Sequence, residues 1–207
     1  MLKNASIIVC VKKAAMLTIL LVLASQTSFA QSTFPDFAEK SLTTQNRGMY
    51  VLGGWAIANI ATGAYGWTNY NDDRMYFHQM NLMWNVFNLS IAGFGLYSNS
   101  QIDFATLSAE EIMASHLKTE RILLINSALN VGYIGTGVLL RHLSASSAKN
   151  HDVLRGYGNS IILQGGFLLV FDLVLYQFLR TQRLDFVNSI NLFSNQDITG
   201  FQIVLNL

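Results

Sequence analysis

The sequence predicts an all-α protein, an antiparallel four-helix transmembrane bundle built from two helical hairpins and followed by a short β-like tail. Of the 207 residues, 51 % are hydrophobic and only 12 % are charged, against roughly 25 % charged residues in soluble domains. The single proline, Pro35, leaves the later apolar runs free to form uninterrupted helices. Because 13 Lys and Arg residues balance 12 Asp and Glu residues, there is no basic face for nucleic acid, which is excluded as a partner.

The first 30 residues have the pattern of a secretory signal peptide. Basic residues precede a short apolar core at 16–24, and small residues at Ser28 and Ala30 fit a cleavage site before Gln31. The core is shorter than the roughly 20 apolar residues that span a bilayer, so we predict cleavage. Cleavage would remove Cys10, the only cysteine of the sequence, and would leave the mature chain without a disulfide or a thiolate nucleophile.

We predict that residues 31–184 form the bundle and that its first helix lies near 35–67, with Pro35 in the first turn. Asn59 lies near the middle of the apolar part of this helix. Small residues recur at every fourth position, a spacing that lets membrane helices approach closely; they are Gly54, Ala58, Thr62 and Gly66. We therefore expect this stripe to pack against another helix.

The second helix, near 73–98, combines a bilayer-spanning length with a stripe of amides, and Asp72 is its predicted N-cap. At about 100° per residue, one narrow face carries polar or small residues, which are His78, Asn81, Asn85, Asn88, Ala92 and Gly95. The opposite face is apolar and carries Met83, Val86, Phe87, Phe94 and Tyr97. Lipid can surround the apolar face, whereas buried amides need hydrogen-bond partners. We therefore expect the amide face to turn inward.

The third helix, near 108–143, begins at a predicted capping box of Ser108 and Glu111. A charged outer turn precedes its apolar run, which enters the membrane near Arg121 and leaves it near His142. One face of this run is the counterpart of the amide stripe and carries Asn126, Asn130, Tyr133 and Gly137. We expect this face to turn inward as well.

The fourth helix lies near 152–184, with Asp152 as its predicted N-cap. Its inward face carries polar and bulky residues, which are Ser160, Gln164, Leu168, Phe171 and Asp172, and Gly165 and Gly166 permit a close approach. An aspartate in the middle of a membrane costs about 2.5 to 3.5 kcal/mol, so we expect Asp172 to be protonated or in contact with water. By depth it would hydrogen-bond Asn126 or a neighbouring hydroxyl, as a structural, proton-coupled or ligand-binding group.

Two further patterns lie outside the helix predictions. The matching fragments that end at Gly63 and Gly137, read Ile-Ala-Thr-Gly and Ile-Gly-Thr-Gly, raise the hypothesis of an internal repeat. Residues 185–207 are predicted to form a polar, extended tail, in which apolar residues alternate from Phe201 to Leu207 with the period of a strand.

No residue pattern predicts catalysis. The serines have no Gly-x-Ser-x-Gly motif, and no His, Cys or carboxylate spacing is typical of a metal site. His78 and His142 would both lie near the cytoplasmic ends of their helices, where we expect solvated histidines; a haem held by this pair is the alternative. We therefore predict no catalytic residue, no metal and no cofactor.

The amides are the strongest functional signal. In one interpretation they form interhelical hydrogen bonds that fix the helix register, at roughly 0.6 to 2 kcal/mol each. In the other they line a hydrated cavity for a polar solute or a lipid headgroup. The candidate polar interior consists of Asn59, His78, Asn81, Asn85, Asn88, Asn126, Asn130, Gln164 and Asp172.

The span from Asn46 to Arg180, with RGMYVLGGWAIANIATG in the first helix and FHQMNLMWNVFNLS in the second, resembles an uncharacterised family of small bacterial four-helix membrane proteins with a signal peptide, a domain of unknown function. The resemblance covers most of the mature chain. It implies a fold and a location, and it implies no activity.

These observations predict a multi-pass protein of the bacterial inner (cytoplasmic) membrane. Signal cleavage and four crossings would leave both termini of the mature chain on the periplasmic side, although the loop charges show no positive-inside bias. The predicted function is a non-enzymatic bundle that binds a lipid, a small polar ligand or a partner protein. The alternatives are a haem- or quinone-linked redox protein and a small proton-coupled transporter. Expected partners are the lipid bilayer and a homo-oligomer or another membrane protein.

Overall fold

The computed structural model describes the backbone of residues 2–196 and the side chains of residues 34–190. Four long helices and one short 3₁₀ turn make up this part of the chain: α1 (Leu2–Asn69), α2 (Asp73–Ser100), η1 (Phe104–Thr106), α3 (Ala109–Ser144) and α4 (His151–Gln196). The prediction of an all-α helical bundle is therefore confirmed for the described residues.

The predicted starts of α2 and α3 are confirmed in atomic detail. A carboxylate oxygen of Asp72 accepts a hydrogen bond from the backbone N–H of Arg74 at 3.0 Å. The Ser108 hydroxyl accepts from the backbone N–H of Glu111, whose carboxylate accepts from the backbone N–H of Ser108 at 2.8 Å. These short polar contacts satisfy helix N–H groups that have no partner within the helix, which is why the capping pattern locates helix starts well.

Other predicted ends are wrong. Pro35 lies inside α1 instead of in its first turn. Helix α4 begins at His151, so Asp152 belongs to its first turn and is not the N-cap. The same helix continues to Gln196, because Phe186 and Ile190 keep its apolar side packed; the extended tail predicted from residue 185 is thus helical as far as Gln196. The alternation from Phe201 to Leu207 lies outside the described residues.

Helices α1 and α2 pack through glycine. A Cβ added at Gly63 would lie 2.9 Å from the backbone oxygen of His78 and 3.0 Å from the backbone nitrogen of Leu82, and Gly66 lies directly against the His78 ring. The small-residue stripe does not make this contact as predicted, because Gly54, Ala58 and Thr62 face outward and only Gly66 packs against α2. The buried face is rotated from that stripe and carries Leu52, Ala56, Asn59, Gly63 and Gly66.

Helices α3 and α4 repeat the same contact. A Cβ at Gly137 would lie 2.7 Å from the backbone oxygen of Gly158 and 3.0 Å from the backbone nitrogen of Ile162. Gly63 and Gly137 close the two matching tetrapeptides, and each meets a backbone oxygen and a nitrogen four residues further on. The two helix pairs are therefore built on one packing plan, as the hypothesis of an internal repeat requires.

The pairs join through α4, which packs against α2 and α1 as well as α3, whereas α2 and α3 scarcely touch. At one end of the bundle, Gly156 lies against the backbone of Asp73 and Phe77, and the Tyr157 hydroxyl donates to Gln79 at 2.8 Å. The scarcity of contacts between α2 and α3 leaves an opening along one side of the bundle.

We call the opposite end the Phe37 end; it comprises residues 34–44, 104–120 and 179–190. Its core is apolar: Phe37 stacks on Phe186 with ring centroids 4.4 Å apart, and Ala38, Ile112 and Met113 complete the cluster. Charged residues such as Glu39 and Lys40 lie on its surface. This is the polarity of a water-soluble protein.

The region next to the Phe37 end, which we call the middle, comprises residues 45–69, 77–98, 121–143 and 157–178. Its buried polar residues outnumber its buried hydrophobic ones. Among residues 34–190, all of the exposed large hydrophobic residues except Ile102, Leu107 and Leu184 lie here, and Phe87 and Phe94 are each 71 % exposed. The polarity of the middle is thus the reverse of that at the Phe37 end.

Candidate ligand cavity in the polar interior

The amide stripe of α2 is buried and mostly bonded to itself. Asn81 donates to the side-chain oxygen of Asn59 at 2.9 Å, Asn85 donates to the backbone oxygen of Asn81 at 2.7 Å, and Asn88 donates to the side-chain oxygen of Asn85 at 3.2 Å. Asn85 is fully buried. These amides form a continuous chain from α1 along α2, so most of their hydrogen-bonding capacity is used inside the protein.

Helix α4 joins this chain through Gln164, which has no exposed surface. Its amide nitrogen donates to the side-chain oxygen of Asn81, and its oxygen accepts from the indole N–H of Trp55 at 3.0 Å. The Trp55 ring also stacks on Phe167 with centroids 3.9 Å apart. Asn81 is therefore the junction at which α1, α2 and α4 meet.

Asp172 belongs to a second polar group. Its carboxylate oxygen Oδ2 accepts a hydrogen bond from the Asn130 amide at 2.8 Å, and the residue is only 5 % exposed. The predicted partner, Asn126, lies one helical turn away. Depth counted from helix midpoints gave the wrong register, because the contact of Gly137 with Gly158 sets how α3 slides along α4.

A cavity of about 590 Å³ fills the opening between α2 and α3. Asp172, Asn130, Asn126 and Asn88 line it, together with a larger set of apolar side chains that includes Leu52, Phe87, Ile91, Ile122, Leu129 and Phe171. Its volume lies within the usual range for small-molecule sites, and a mainly apolar wall with a few polar groups is typical of such sites. The cavity is partly open to the outside along the bundle.

The cavity is elongated. On α3 its lining residues run from Thr119 to Tyr133, a helix length of about 21 Å. One end has Gln45, Thr119 and Asn99 in its wall. At the other end Trp84 of α2 meets Tyr133 of α3 edge to face, with ring centroids 5.0 Å apart, which closes the cavity there.

Eight of the nine predicted site residues therefore fall into three groups. Asn59, Asn81, Asn85 and Gln164 belong to the internal network; Asn88 joins that network to the cavity; and Asn126, Asn130 and Asp172 face the cavity. His78 belongs to none of these groups, since its half-buried ring packs on Gly66 and stacks on Tyr70 with ring centroids 5.5 Å apart.

Sequence reasoning missed a buried polar network at the Phe37 end. His116 Nε2 lies 3.1 Å from both Glu120 Oε1 and the Leu179 backbone oxygen, and Nδ1 lies 2.8 Å from the Ser41 hydroxyl. Since both neighbours of Nε2 are acceptors, Nε2 carries the proton and Nδ1 accepts from Ser41. Arg183 donates to both carboxylate oxygens of Glu120, at 2.8 and 3.1 Å.

This network ties α1, α3 and α4 together ahead of the apolar run that begins at Ile122. Burial lowers the pKa of the His116 imidazole, an effect that the neighbouring Glu120 carboxylate opposes. The order Ser41–His116–Glu120 has the composition of a nucleophilic triad, but Ser41 is 4 % exposed and Glu120 is paired with Arg183. In this structure the four side chains join α1, α3 and α4 through hydrogen bonds. The spacing of His116 and Glu120, one helical turn apart, was the only sequence signal for it.

The fold and the site define a helical bundle whose middle has a polar interior and an apolar exterior. Two of its described helices, Ala109–Ser144 and the His151–Ile190 part of α4, are long and apolar enough to cross a membrane. The chain belongs to a family of unknown function, DUF6992, whose family model matches residues 51–173. That match confirms the expected membership of an uncharacterised domain family, and it contains all nine candidate site residues. No curated protein and no solved structure matches the chain.

Proposed function

We propose that this protein is a multi-pass bundle of the bacterial inner membrane that binds an amphipathic molecule with an apolar chain in the cavity between α2 and α3. The proposal includes no cofactor and no catalytic step. The observation that carries it is the cavity itself, an elongated and mainly apolar space into which the nearly buried Asp172 and its partner Asn130 project.

The reversed polarity of the middle supports the membrane location. Soluble proteins rarely expose large contiguous apolar surfaces, whereas a membrane protein meets acyl chains with apolar side chains and keeps polar groups inside. Outward-facing residues of all four helices in the middle fit lipid: Ile57 of α1, Phe94 of α2, Ile125 of α3 and Val170 of α4 are each more than half exposed.

The order in which residues of α1 meet residues of α2 supports four antiparallel crossings. Asn46 of α1 contacts Asn99 of α2, Asn59 contacts Asn81, and Gly66 contacts His78. Residue numbers therefore rise along α1 as they fall along α2, which means that the two helices are antiparallel. We propose that the signal peptide at 1–30 is removed, which would leave Pro35 near the start of the mature chain. The Phe37 end and both mature termini would then lie on the periplasmic side.

The shape of the cavity supports a chain-bearing ligand. Its length, about 21 Å along α3, suits an extended chain better than a compact solute, and the wide separation of α2 and α3 opens it towards the proposed lipid phase. Asn88, Asn126 and Asn130 offer hydrogen bonds to a polar group at mid-depth. A purely apolar molecule would leave the Asp172 carboxyl without a partner beyond Asn130.

Photolabelling tests this proposal. The full chain, in nanodiscs of phosphatidylcholine, is irradiated with a dodecanol that carries a diazirine on its chain, and the labelled residues are mapped by mass spectrometry. We expect labels on cavity residues such as Trp84 and Phe87. Ile91→Trp and Leu129→Trp, which fill the cavity, should remove them. Val86→Trp and Ile125→Trp are matched controls, since both residues are similarly exposed and lie outside the cavity wall.

Labelling spread over the outer surface and unchanged in Ile91→Trp and Leu129→Trp would overturn the proposed function. Loss of labelling in all four variants together would point to misfolding. The two control variants separate these outcomes, because they add the same bulk on the same helices without entering the cavity.

A further inference from the structure

The cavity contains one carboxyl group and no basic side chain. Among its lining residues, all within the described part of the chain, there is no Lys, Arg or His, and Asp172 is the only acid. Its Oδ2 is occupied by Asn130, and Oδ1 makes no hydrogen bond with the described residues. A carboxyl group held in an apolar space needs either a further hydrogen bond or a cation.

The other polar groups of the cavity offer acceptors beside Asp172. Asn130 uses its amide nitrogen to bind Asp172, and Asn88 uses its nitrogen to bind Asn85, so the amide oxygen of each is left for other donors. Asn126 is exposed to the cavity and has no hydrogen-bond partner among the described residues. Such a group of oxygens matches a ligand with several N–H donors.

Aromatic rings complete the surroundings. Trp84 and Phe87 from α2, Tyr133 from α3 and Phe171 from α4 all line the same cavity. The faces of aromatic rings attract cations, and this attraction strengthens where water is excluded. An ammonium group would therefore find a carboxylate, amide oxygens and aromatic rings within one site, whereas an anionic head would meet the Asp172 carboxylate with no counter-charge.

From these observations we infer that the amphipathic molecule bound in the cavity is a cationic amine, a primary ammonium group on an apolar chain, with Asp172 as its counter-ion. The inference rests on the proposed function and names the ligand class for the same cavity. The ammonium group donates to Asp172 and to the oxygens of Asn130 and Asn88, and the chain lies along the apolar wall towards Thr119.

Competition against the dodecanol photoprobe tests the head group at constant chain length. Dodecylamine, dodecanol and dodecanoate are each added to the labelling reaction in the nanodiscs described above. We expect dodecylamine to suppress cavity labelling at a concentration about tenfold below that of dodecanol. A charge-assisted hydrogen bond is stronger than a neutral one, and the difference corresponds to roughly tenfold in affinity. Dodecanoate should be the weakest competitor.

Asp172→Asn keeps the shape and the hydrogen bond to α3 but removes the charge. In this variant the advantage of dodecylamine over dodecanol should disappear, while labelling by the photoprobe itself persists. Asp152→Asn, which removes an exposed carboxylate of the same helix, should leave the wild-type order unchanged.

Equal competition by dodecylamine and dodecanol in the wild type, or an amine advantage that survives Asp172→Asn, would overturn the inference and leave the proposed function standing. Absence of cavity labelling by the photoprobe would overturn the proposed function first. Because the photoprobe is neutral, the two failures are distinguishable.

Discussion

The Phe37 end and the middle of the bundle share the helices α1, α3 and α4, yet their polarity is opposite. At the Phe37 end aromatic and aliphatic side chains form the core, and the charged residues lie on the surface except for the network of His116, Glu120 and Arg183. In the middle Asn81, Asn85 and Gln164 are inside, and large hydrophobic residues cover the surface. The reversal occurs within single helices, between Glu120 and Ile122 on α3 and between Leu175 and Leu179 on α4. Under the proposed membrane location, one chain meets water at the Phe37 end and lipid in the middle.

The same comparison separates two uses of buried polar groups. At the Phe37 end the partly buried Arg183 and the buried Glu120 form an ion pair that joins helices. In the middle the α2 amides bond mostly to one another and to Asn59 and Gln164, whereas Asn126 and the Asn130–Asp172 pair face the cavity. Polar groups bonded to one another stabilise the fold, whereas the groups that face the cavity are the ones assigned to a ligand in the proposed function.

The largest expected effect comes from the apolar core of the Phe37 end. Phe37 is 5 % exposed, and Phe37→Ala removes its stacking on Phe186 and leaves a cavity, which should lower the free energy of unfolding by about 3 to 5 kcal/mol. Unfolding in lipid bicelles measures this. Phe94→Ala, at a residue that is 71 % exposed in the middle, should change the free energy far less. Equal losses at both sites would remove the distinction between the two regions.

A lysine scan of outward positions gives the next largest effect. Val170 of the middle and Leu184 of the Phe37 end lie on α4 and are 62 % and 42 % exposed. Val170→Lys should make the free energy of membrane insertion less favourable by about 2.5 to 3.5 kcal/mol, because the charge would enter hydrocarbon. Leu184→Lys should be nearly neutral. A membrane-insertion assay of both variants measures the difference, and equal insertion would contradict the assigned boundary.

Replacing Asn81, the junction of the amide network, should have a somewhat smaller effect, a loss in the free energy of unfolding. Asn81→Leu leaves the amides of Asn59 and Gln164 without their partner, and a buried unsatisfied group costs about 1 to 3 kcal/mol. Asn126→Leu is the matched control, since Asn126 is exposed to the cavity and holds no other helix. Unfolding in bicelles should therefore separate the two variants, and a larger loss in Asn126→Leu would mean that the network is assigned to the wrong residues.

The smallest effect is a pH dependence at the Phe37 end. Because burial lowers the pKa of folded His116 below its usual value of about 6.5, the folded state disfavours the charged form. The contribution to stability is complete above that pH and is lost as the pH falls through the lowered pKa. Thermal unfolding between pH 7.5 and about 5 should show this loss. His116→Gln should remove this pH dependence and the exposed His142→Gln should keep it; the reverse result would contradict the assignment.

The sequence predicted part of what local chemistry decides, although the predicted cap at Asp152 is wrong. Asp72 and Ser108 located two helix starts, and the spacing of Asn81, Asn85 and Asn88 identified the inward face of α2 correctly. In each case the information lies within one or two turns of a single helix.

Features that depend on register between helices could not be obtained this way. The sequence pairs Asp172 with Asn126, whereas the structure pairs it with Asn130, because the slide of α3 along α4 depends on contacts between the two helices, such as Gly165 against the Asn130 backbone oxygen. His116 was missed, since its partners Ser41 and Arg183 are distant in the sequence. The cavity follows from the gap between α2 and α3, which no single helix encodes.

The most direct test of the central claim, that the middle of the bundle is surrounded by lipid, compares two outward positions of α3. Ser115 and Ile125 are both exposed, at the Phe37 end and in the middle respectively. Each is replaced by cysteine in a chain that carries Cys10→Ser. Membrane vesicles are then treated with a charged maleimide after both faces of the membrane have been made accessible to the reagent. The account predicts rapid modification of Ser115→Cys and protection of Ile125→Cys until the membrane is dissolved in a denaturing detergent. Modification of Ile125→Cys as fast as Ser115→Cys in intact bilayers would contradict it.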